Sequence, residues 1–258
     1  MLFDYYEILI LSLIQGITEF IPVSSSSHLI LLSDLTNFDN KSLSIDVSLH
    51  LGSFIAVSLY FRRDIYDFIN NKKLFYKIII SSLPVMIIGY YLVQTNLIER
   101  LRNIEIIGWT TLTFGIILYI SDKFNLKKNI KRDFTYKSAI IIGFFQVMSL
   151  MPGVSRSGIA ITAARILRFK RYDAAKISFL LSIPTLGAVS IFSFQNLMTS
   201  NNLQFTLLNI LSIILSATFS YITIKFFLNY IKKFSLNIFV YYRVLLGLVL
   251  IFSSTFIE

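Results

Sequence analysis

Gln15-Gly16-Ile17-Thr18-Glu19-Phe20-Ile21-Pro22-Val23-Ser24-Ser25-Ser26-Ser27-His28-Leu29 is the stretch that decides how this chain folds. It opens as sequence apolar enough for a membrane and then breaks. A carboxylate, a proline, four consecutive serines and a histidine sit between apolar flanks. Ordinary membrane spans avoid such residues, because polar and ionisable groups in hydrocarbon cost several kcal/mol unless partnered. A second, weaker copy of the pattern, QVMSLMPGVSRSGI, runs from Gln146 to Ile159. The expectation is that the two stretches form one site.

Both are set in membrane sequence. Of the 258 residues, 55% are hydrophobic and 15% charged, whereas soluble domains are about a quarter charged. No polar linker is long enough to divide the chain, so residues 1–258 are expected to form a single membrane domain. The absence of cysteine excludes a disulfide framework, thiolate chemistry and a cysteine metal site. A net charge of +10 would suggest nucleic acid in a soluble protein. Here the basic residues fall in short loops between apolar runs, so topology explains them and no nucleic-acid partner is expected. Asp4 and Glu7, in place of a basic leader, argue against reading the first apolar run as a cleavable signal peptide.

A span needs about 20 apolar residues. Such runs lie near 45–61, 76–93, 104–121, 176–195, 205–226 and 237–256, while 5–33 and 138–168 are each interrupted by a Pro/Ser-rich break. The connections 62–77, 122–137, 165–176 and 225–233 together hold 19 of the 24 Lys and Arg residues. The connections 32–44, 94–105 and 196–204 hold only Lys41, Arg100 and Arg102. The positive-inside rule puts the first group in the cytoplasm and the second outside. Threading the chain through these assignments makes region 138–168 start and end inside, so it must dip into the membrane and return. Region 5–33 then does the same from outside. The expected fold is all-α: two interlocked inverted-topology repeats, about 1–121 and 138–258, each a re-entrant helix hairpin followed by three transmembrane helices. Inverted repeats with broken helices place their binding sites near mid-membrane. The plainer alternative is eight or more ordinary spans with polar kinks.

Each break stops one helix near a proline and starts another among serines. Ser24, Ser25 and Ser155 are natural N-caps, and a helix N-terminus suits a phosphate. Two such ends meeting from opposite leaflets would cradle a diphosphate. Arg156 adds a permanent charge with a fork matched to phosphate oxygens. Serines also serve as caps and packing residues in membranes, and alone they would indicate nothing more. Glu19 and Gln15 are four apart and share a helix face, so they can offer oxygen ligands to a divalent cation, or Glu19 can handle a proton. Glu19 can equally be a buried partner of Arg156. His28 suits proton transfer, or is a hydrogen-bonded structural histidine. Asp46 and His50, four apart, can line the entrance to the site or lie at the interface without function. Arg243 is expected to snorkel to the cytoplasmic surface.

At these residues the chain resembles the undecaprenyl-diphosphate phosphatase family, also called bacitracin-resistance proteins. That family carries an E/Q-x-x-x-E segment running into P-V-S-S-x-x-H, and later P-G-x-S-R-S-G. Here these are Gln15 to Glu19, Pro22 to His28 and Pro152-Gly153-Val154-Ser155-Arg156-Ser157-Gly158. The likeness extends through Leu51-Gly52-Ser53, Phe179 to Pro184 and Tyr242-Arg243. It implies a hydrolase of the inner membrane that converts undecaprenyl diphosphate to the monophosphate and inorganic phosphate. Such an enzyme recycles the lipid carrier for cell-wall synthesis and confers bacitracin resistance. It also implies a divalent cation, Mg2+ or Ca2+, and a site opening toward the outer face. Three positions depart from the pattern: Gln15 leaves Glu19 as the only motif carboxylate, Ser27 stands where glycine is common, and His50 where glutamine is expected.

The expected catalytic residues are therefore Glu19, Ser25, His28 and Arg156. Gln15, Ser24, Ser26, Ser27, Ser155, Ser157 and Gly153 are expected to bind substrate, with Glu19 and Gln15 on the metal. Ser25 is the preferred nucleophile, with His28 as its base or as the acid to the leaving group; attack by water activated by Glu19 or His28 stays open. The expected partners are a polyprenyl diphosphate and membrane lipids, and a homodimer is open. The rivals are a transporter or lipid flippase, which shares the inverted-repeat architecture, and a non-catalytic membrane scaffold.

Overall fold

The computed structural model of the protein describes residues 2–35, 43–70, 72–95, 101, 103–124, 127–199 and 207–257. Among them the backbone is helical throughout, with one isolated bridge, Lys128 to Phe169, in place of any strand. Lys41, Arg100 and Arg102 lie outside the described residues.

Helix α1 (Leu2–Thr18) ends where the sequence breaks. Glu19 still donates its N–H to the Gln15 carbonyl at 3.0 Å. Pro22 then has no N–H to offer and disfavours a helical Ile21. Ser24, at φ 77°, turns the chain, and α2 (Ser25–Leu35) begins. At 11 residues α2 reaches only about 17 Å, roughly half the ~30 Å of hydrocarbon. The long helices follow: α3 (Leu43–Tyr60), then α4 (Arg62–Asn70) bent 72° from it at Phe61, α5 (Lys72–Gln94) and α6 (Ile104–Asp122).

After the single turn α7 (Ile130–Asp133), the first design recurs. Helix α8 (Tyr136–Val147) tightens into a 3-10 turn at Met148–Leu150. Pro152, Gly153 (φ 91°) and Ser155 (φ 69°) turn the chain, and α9 (Arg156–Ile166) starts. Three long helices complete the chain: α10 (Arg171–Thr199), α11 (Leu207–Lys233) and α12 (Asn237–Ile257). Five helices are long and apolar enough to cross a membrane, or six with the bent α3–α4 pair. The chain is thus a multi-pass membrane protein of two short helix hairpins and six longer segments.

The halves exchange their hairpins. Helix α1 packs on α11, and α8 packs on α5. Two glycines permit these approaches: a Cβ on Gly16 would stand 2.5 Å from Phe219 Cβ, and one on Gly143 would stand 2.6 Å from the Ser81 carbonyl oxygen. Gln146 then donates to that same carbonyl at 3.0 Å. Helix α9 runs through the centre, with Ile159, Ala160, Ile161, Ala163 and Ala164 all buried. Phe20 anchors the first break to the core, edge-on to Phe179 with ring centroids 5.3 Å apart.

Side-chain contacts gather the four basic connections on one face. Lys176 pairs with Asp64 at 2.6 Å. Lys77 lies over the Tyr136 ring and Lys232 over the Tyr172 ring. Asp122 is the hub: it pairs with buried Arg165 at 3.0 Å and with Arg171 at 2.9 Å, and accepts from the Leu236 N–H at 3.3 Å. Loops that follow α6, α9 and α11 are thereby tied together, as the charge count requires.

Candidate active site

Both breaks open onto one cavity of about 530 Å³. Its polar end is formed by Glu19, Ser24, Ser25, His50, Ser155, Arg156 and Thr185. Its apolar walls come from the C-terminal halves of α5 (Val85, Met86, Val93) and α10 (Leu186, Val189, Phe192). Both helices begin on the basic face, so the cavity occupies the half of the molecule remote from that face. Tyr90 and Val189 at its side are exposed, which gives it an opening between α5 and α10 toward the region lipid would fill.

At the polar end, Glu19 is buried and fully engaged. Its Oε1 accepts from Arg156 Nη2 at 2.6 Å; its Oε2 accepts from Ser25 Oγ at 2.9 Å and from Gln15 Nε2 at 3.0 Å. Arg156 divides its fork, donating through Nη1 to Thr185 Oγ1 at 3.0 Å. Ser25 is the first residue of α2 and Arg156 the first of α9, so each hairpin contributes a helix start to the cavity. The N-cap Ser155 accepts from the Gly158 N–H at 3.1 Å.

The remaining expected residues lie behind this front. Ser27 is buried with its Oγ 2.9 Å from Ser24 Oγ. Ser157 donates to the Ile21 carbonyl at 3.0 Å, tying the second break to the first. Gly153 leaves no room for a side chain, because a Cβ there would run into Thr110 Oγ1. His28 does not line the cavity. Its Nδ1 donates to the Ser24 carbonyl at 2.6 Å, and Nε2 meets the Tyr242 hydroxyl. The Ser26 side chain lies outside the described residues.

Arg243 corrects the sequence reading. It does not snorkel to a surface but is fully buried beneath both breaks. Nη2 donates to the carbonyls of Gly153 (2.9 Å) and Val154 (3.1 Å), Nη1 to Pro22 (3.4 Å) and Nε to Thr111 (3.3 Å). Thr185 was also missed as part of the polar front, whereas His50, expected to line the entrance or to lie idle at the interface, lines the cavity itself. The signal for Arg243 was present: an ionisable residue inside an apolar run is by default a site residue.

A divalent cation is implied by the family resemblance, and the residues fit a partial shell. Gln15 Oε1 is buried with no hydrogen-bond partner among the described residues, and the Glu19 carboxylate lies beside it. Among the described residues no group of three or more acidic or histidine side chains could form an all-protein metal cage. Magnesium in particular is commonly held by one or two carboxylates with substrate phosphates and water completing the shell.

The motif geometry is matched by kinship across the whole chain. The family profile described as Bacitracin resistance protein BacA matches residues 8–249. The chain belongs to the BacA family. Among its relatives, the undecaprenyl-diphosphatase of Pelagibacter ubique (strain HTCC1062) is 50% identical over 245 residues, 95% of each chain. That of Teredinibacter turnerae (strain ATCC 39867 / T7901) is 40% identical over 261 residues, covering 96% of this chain and 98% of the relative. That of Jannaschia sp. (strain CCS1) is 36% identical over 259 residues, covering 95% and 97%. The BacA match includes both breaks and every helix that lines the cavity.

Proposed function

We propose that this BacA-family chain hydrolyses undecaprenyl diphosphate to undecaprenyl phosphate and inorganic phosphate, in the cytoplasmic membrane of a bacterium. The observation that carries the mechanism is the Ser25–Glu19–Arg156 relay. Ser25 Oγ already donates to Glu19 Oε2 at 2.9 Å, while Arg156 holds the other carboxylate oxygen at 2.6 Å. A nucleophile bonded to a base that a third group orients is the arrangement of covalent catalysis.

The prenyl chain lies along the apolar walls of α5 and α10 and leaves through the lateral opening, with the diphosphate at the polar end. Arg156, the helix starts at Ser25 and Arg156, and the hydroxyls of Ser24 and Ser155 bind its oxygens. Ser25 Oγ attacks the terminal phosphorus and its proton passes to Glu19. The bond from that phosphorus to the bridging oxygen breaks, and undecaprenyl phosphate departs. Glu19 returns the Ser25 proton to the departing undecaprenyl phosphate. Water then attacks the phosphoserine and gives a proton to Glu19. The bond from phosphorus to Ser25 Oγ breaks, Glu19 passes the proton back to Ser25 Oγ, and inorganic phosphate leaves. A divalent cation held by Gln15 Oε1 and Glu19 would neutralise charge on the diphosphate. His28, bonded to the Ser24 carbonyl, positions the first break and does not meet the substrate. The positive-inside rule places the basic face in the cytoplasm, so the cavity serves the outer half of the membrane.

Rapid-quench trapping with a prenyl diphosphate labelled at the terminal phosphorus tests the serine route. Acid-stable label on the protein, lost in Ser25→Ala together with at least about 100-fold in kcat, is expected for a missing nucleophile. No covalent species, with Ser25→Ala retaining much of the activity, would replace the serine by a water held on Glu19.

A further inference from the structure

The reaction described uses Ser25, Glu19 and Arg156 and leaves His50, which lines the same cavity, without a task. Its Nδ1 lies 3.1 Å from Gln15 Nε2. An amide nitrogen only donates, so Nδ1 is the accepting nitrogen and a neutral ring carries its proton on Nε2. The amide cannot be turned over to reverse this. Gln15 Nε2 gives its other proton to Glu19 Oε2 at 3.0 Å, and a flip would set the amide oxygen against that carboxylate. His50 Nε2 meets no hydrogen-bond partner among the described residues. The relay from Glu19 through Gln15 thus turns a residue of α3 into a fixed N–H donor on the cavity wall.

We propose that His50 is a further substrate-binding residue, whose Nε2–H donates to a phosphate oxygen of the bound diphosphate in the tautomer that Gln15 imposes. The proposal rests on the diphosphatase reading for its ligand. It also gives Gln15 a second duty. With its two protons directed at Glu19 and His50, Gln15 keeps its carbonyl oxygen unpaired. Glutamine at position 50 can reproduce both halves of the contact, since its amide has an oxygen to accept from Gln15 and an NH2 to face the cavity. Leucine can reproduce neither.

Two measurements on the full chain in detergent test this. The first is KM and kcat for farnesyl diphosphate, together with inhibition by inorganic pyrophosphate. A hydrogen bond to a charged group lost from the bound state predicts that His50→Leu raises both KM and the pyrophosphate inhibition constant about 10- to 100-fold. In His50→Gln both return to within about threefold of the native values, the residual of one ordinary hydrogen bond. A role confined to holding Gln15 would instead lower kcat in His50→Leu alone and leave pyrophosphate inhibition unmoved in both variants, which overturns the proposal. The second is the nitrogen NMR spectrum of histidine-labelled protein. With two histidines in the chain, His50→Gln identifies the His50 signals by their loss. Pyrophosphate is expected to shift the Nε2 signal of His50; signals that stay in place overturn the proposal. Protein that releases no phosphate yet shows the shift would refute the hydrolase reading and leave the donor assignment standing.

Discussion

Ser24 and Ser155 carry φ angles of 77° and 69°, in the region that favours glycine. A side chain held there costs about 1–3 kcal/mol, and such strain gathers at functional sites. Their neighbours hold both in place: His28 binds the Ser24 carbonyl, and Arg243 binds the carbonyls of Gly153 and Val154 just before Ser155. Serine at these two turns makes sense if its hydroxyl is needed in the cavity that both residues line. Ser155→Gly is therefore expected to relieve strain while losing only a few tenths of a kcal/mol of capping. It should melt at the native temperature or above it in detergent, yet hydrolyse prenyl diphosphate about 10-fold more slowly, the cost of one lost bond to a charged oxygen. Ser155→Ala keeps the strain and loses the cap, so it should melt lower by roughly 1 kcal/mol of stability. A glycine variant that melts below the alanine variant would refute functional strain here. The serines themselves were legible as a cluster, but their φ angles were not, because only the meeting of two breaks shows which serine must turn the chain.

At the scale of elements, one side chain of α12 holds both breaks together. Arg243 bonds to Pro22 from the first break and to Gly153 and Val154 from the second. Space for it is made by glycines: a Cβ on Gly115 would stand 3.0 Å from Arg243 Cβ, and one on Gly158 would stand 2.8 Å from Arg243 Nη1. Arg243→Met leaves these carbonyls unpaired at a cost of about 1–3 kcal/mol each. The expected result is a loss of at least about 3 kcal/mol, read as a large fall in melting temperature with activity lost in parallel. Arg243→Lys should recover part of the stability, since an ammonium can reach some of the carbonyls but cannot fork between the breaks. Equal melting of native and Arg243→Met protein would remove the clamp from the account. The helix pattern and the two breaks could be read from the sequence, because hydropathy and proline act locally. The clamp could not. An arginine two turns into a terminal span looks like a snorkelling one until Gly115 and Gly158 are seen to clear its path. Thr185 was hidden for the same reason, being on a long helix that meets the breaks only in three dimensions.

For the molecule as a whole, charge and cavity divide it into two halves. The basic connections meet on one face through Asp64–Lys176 and the Asp122 hub, and the cavity lies in the other half, between the far ends of α5 and α10. The grouping of the basic connections was legible, because loop charge is counted along the chain and needs no tertiary contact. The side to which the cavity opens was implied only by the family resemblance. The exchange of α1 and α8 between the halves was expected only as an interlocked repeat, and the glycines that permit it, Gly16 and Gly143, were not singled out. The orientation proposed from the positive-inside rule is open to direct test, since the chain has no cysteine to interfere. Val93 lies exposed near the far end of α5, and Lys131 lies exposed on the basic face. A maleimide that does not cross membranes, added to intact spheroplasts, should label Val93→Cys and spare Lys131→Cys until the membrane is permeabilised. Ser155→Cys, deep in the cavity, should also be labelled from outside, more slowly, and a prenyl diphosphate should protect it. Labelling of Lys131→Cys alone in intact spheroplasts would invert the protein and turn the cavity toward the cytoplasm. Protection of Ser155→Cys would then still locate the diphosphate at the meeting of the two breaks, so orientation and site are separated by a single set of variants.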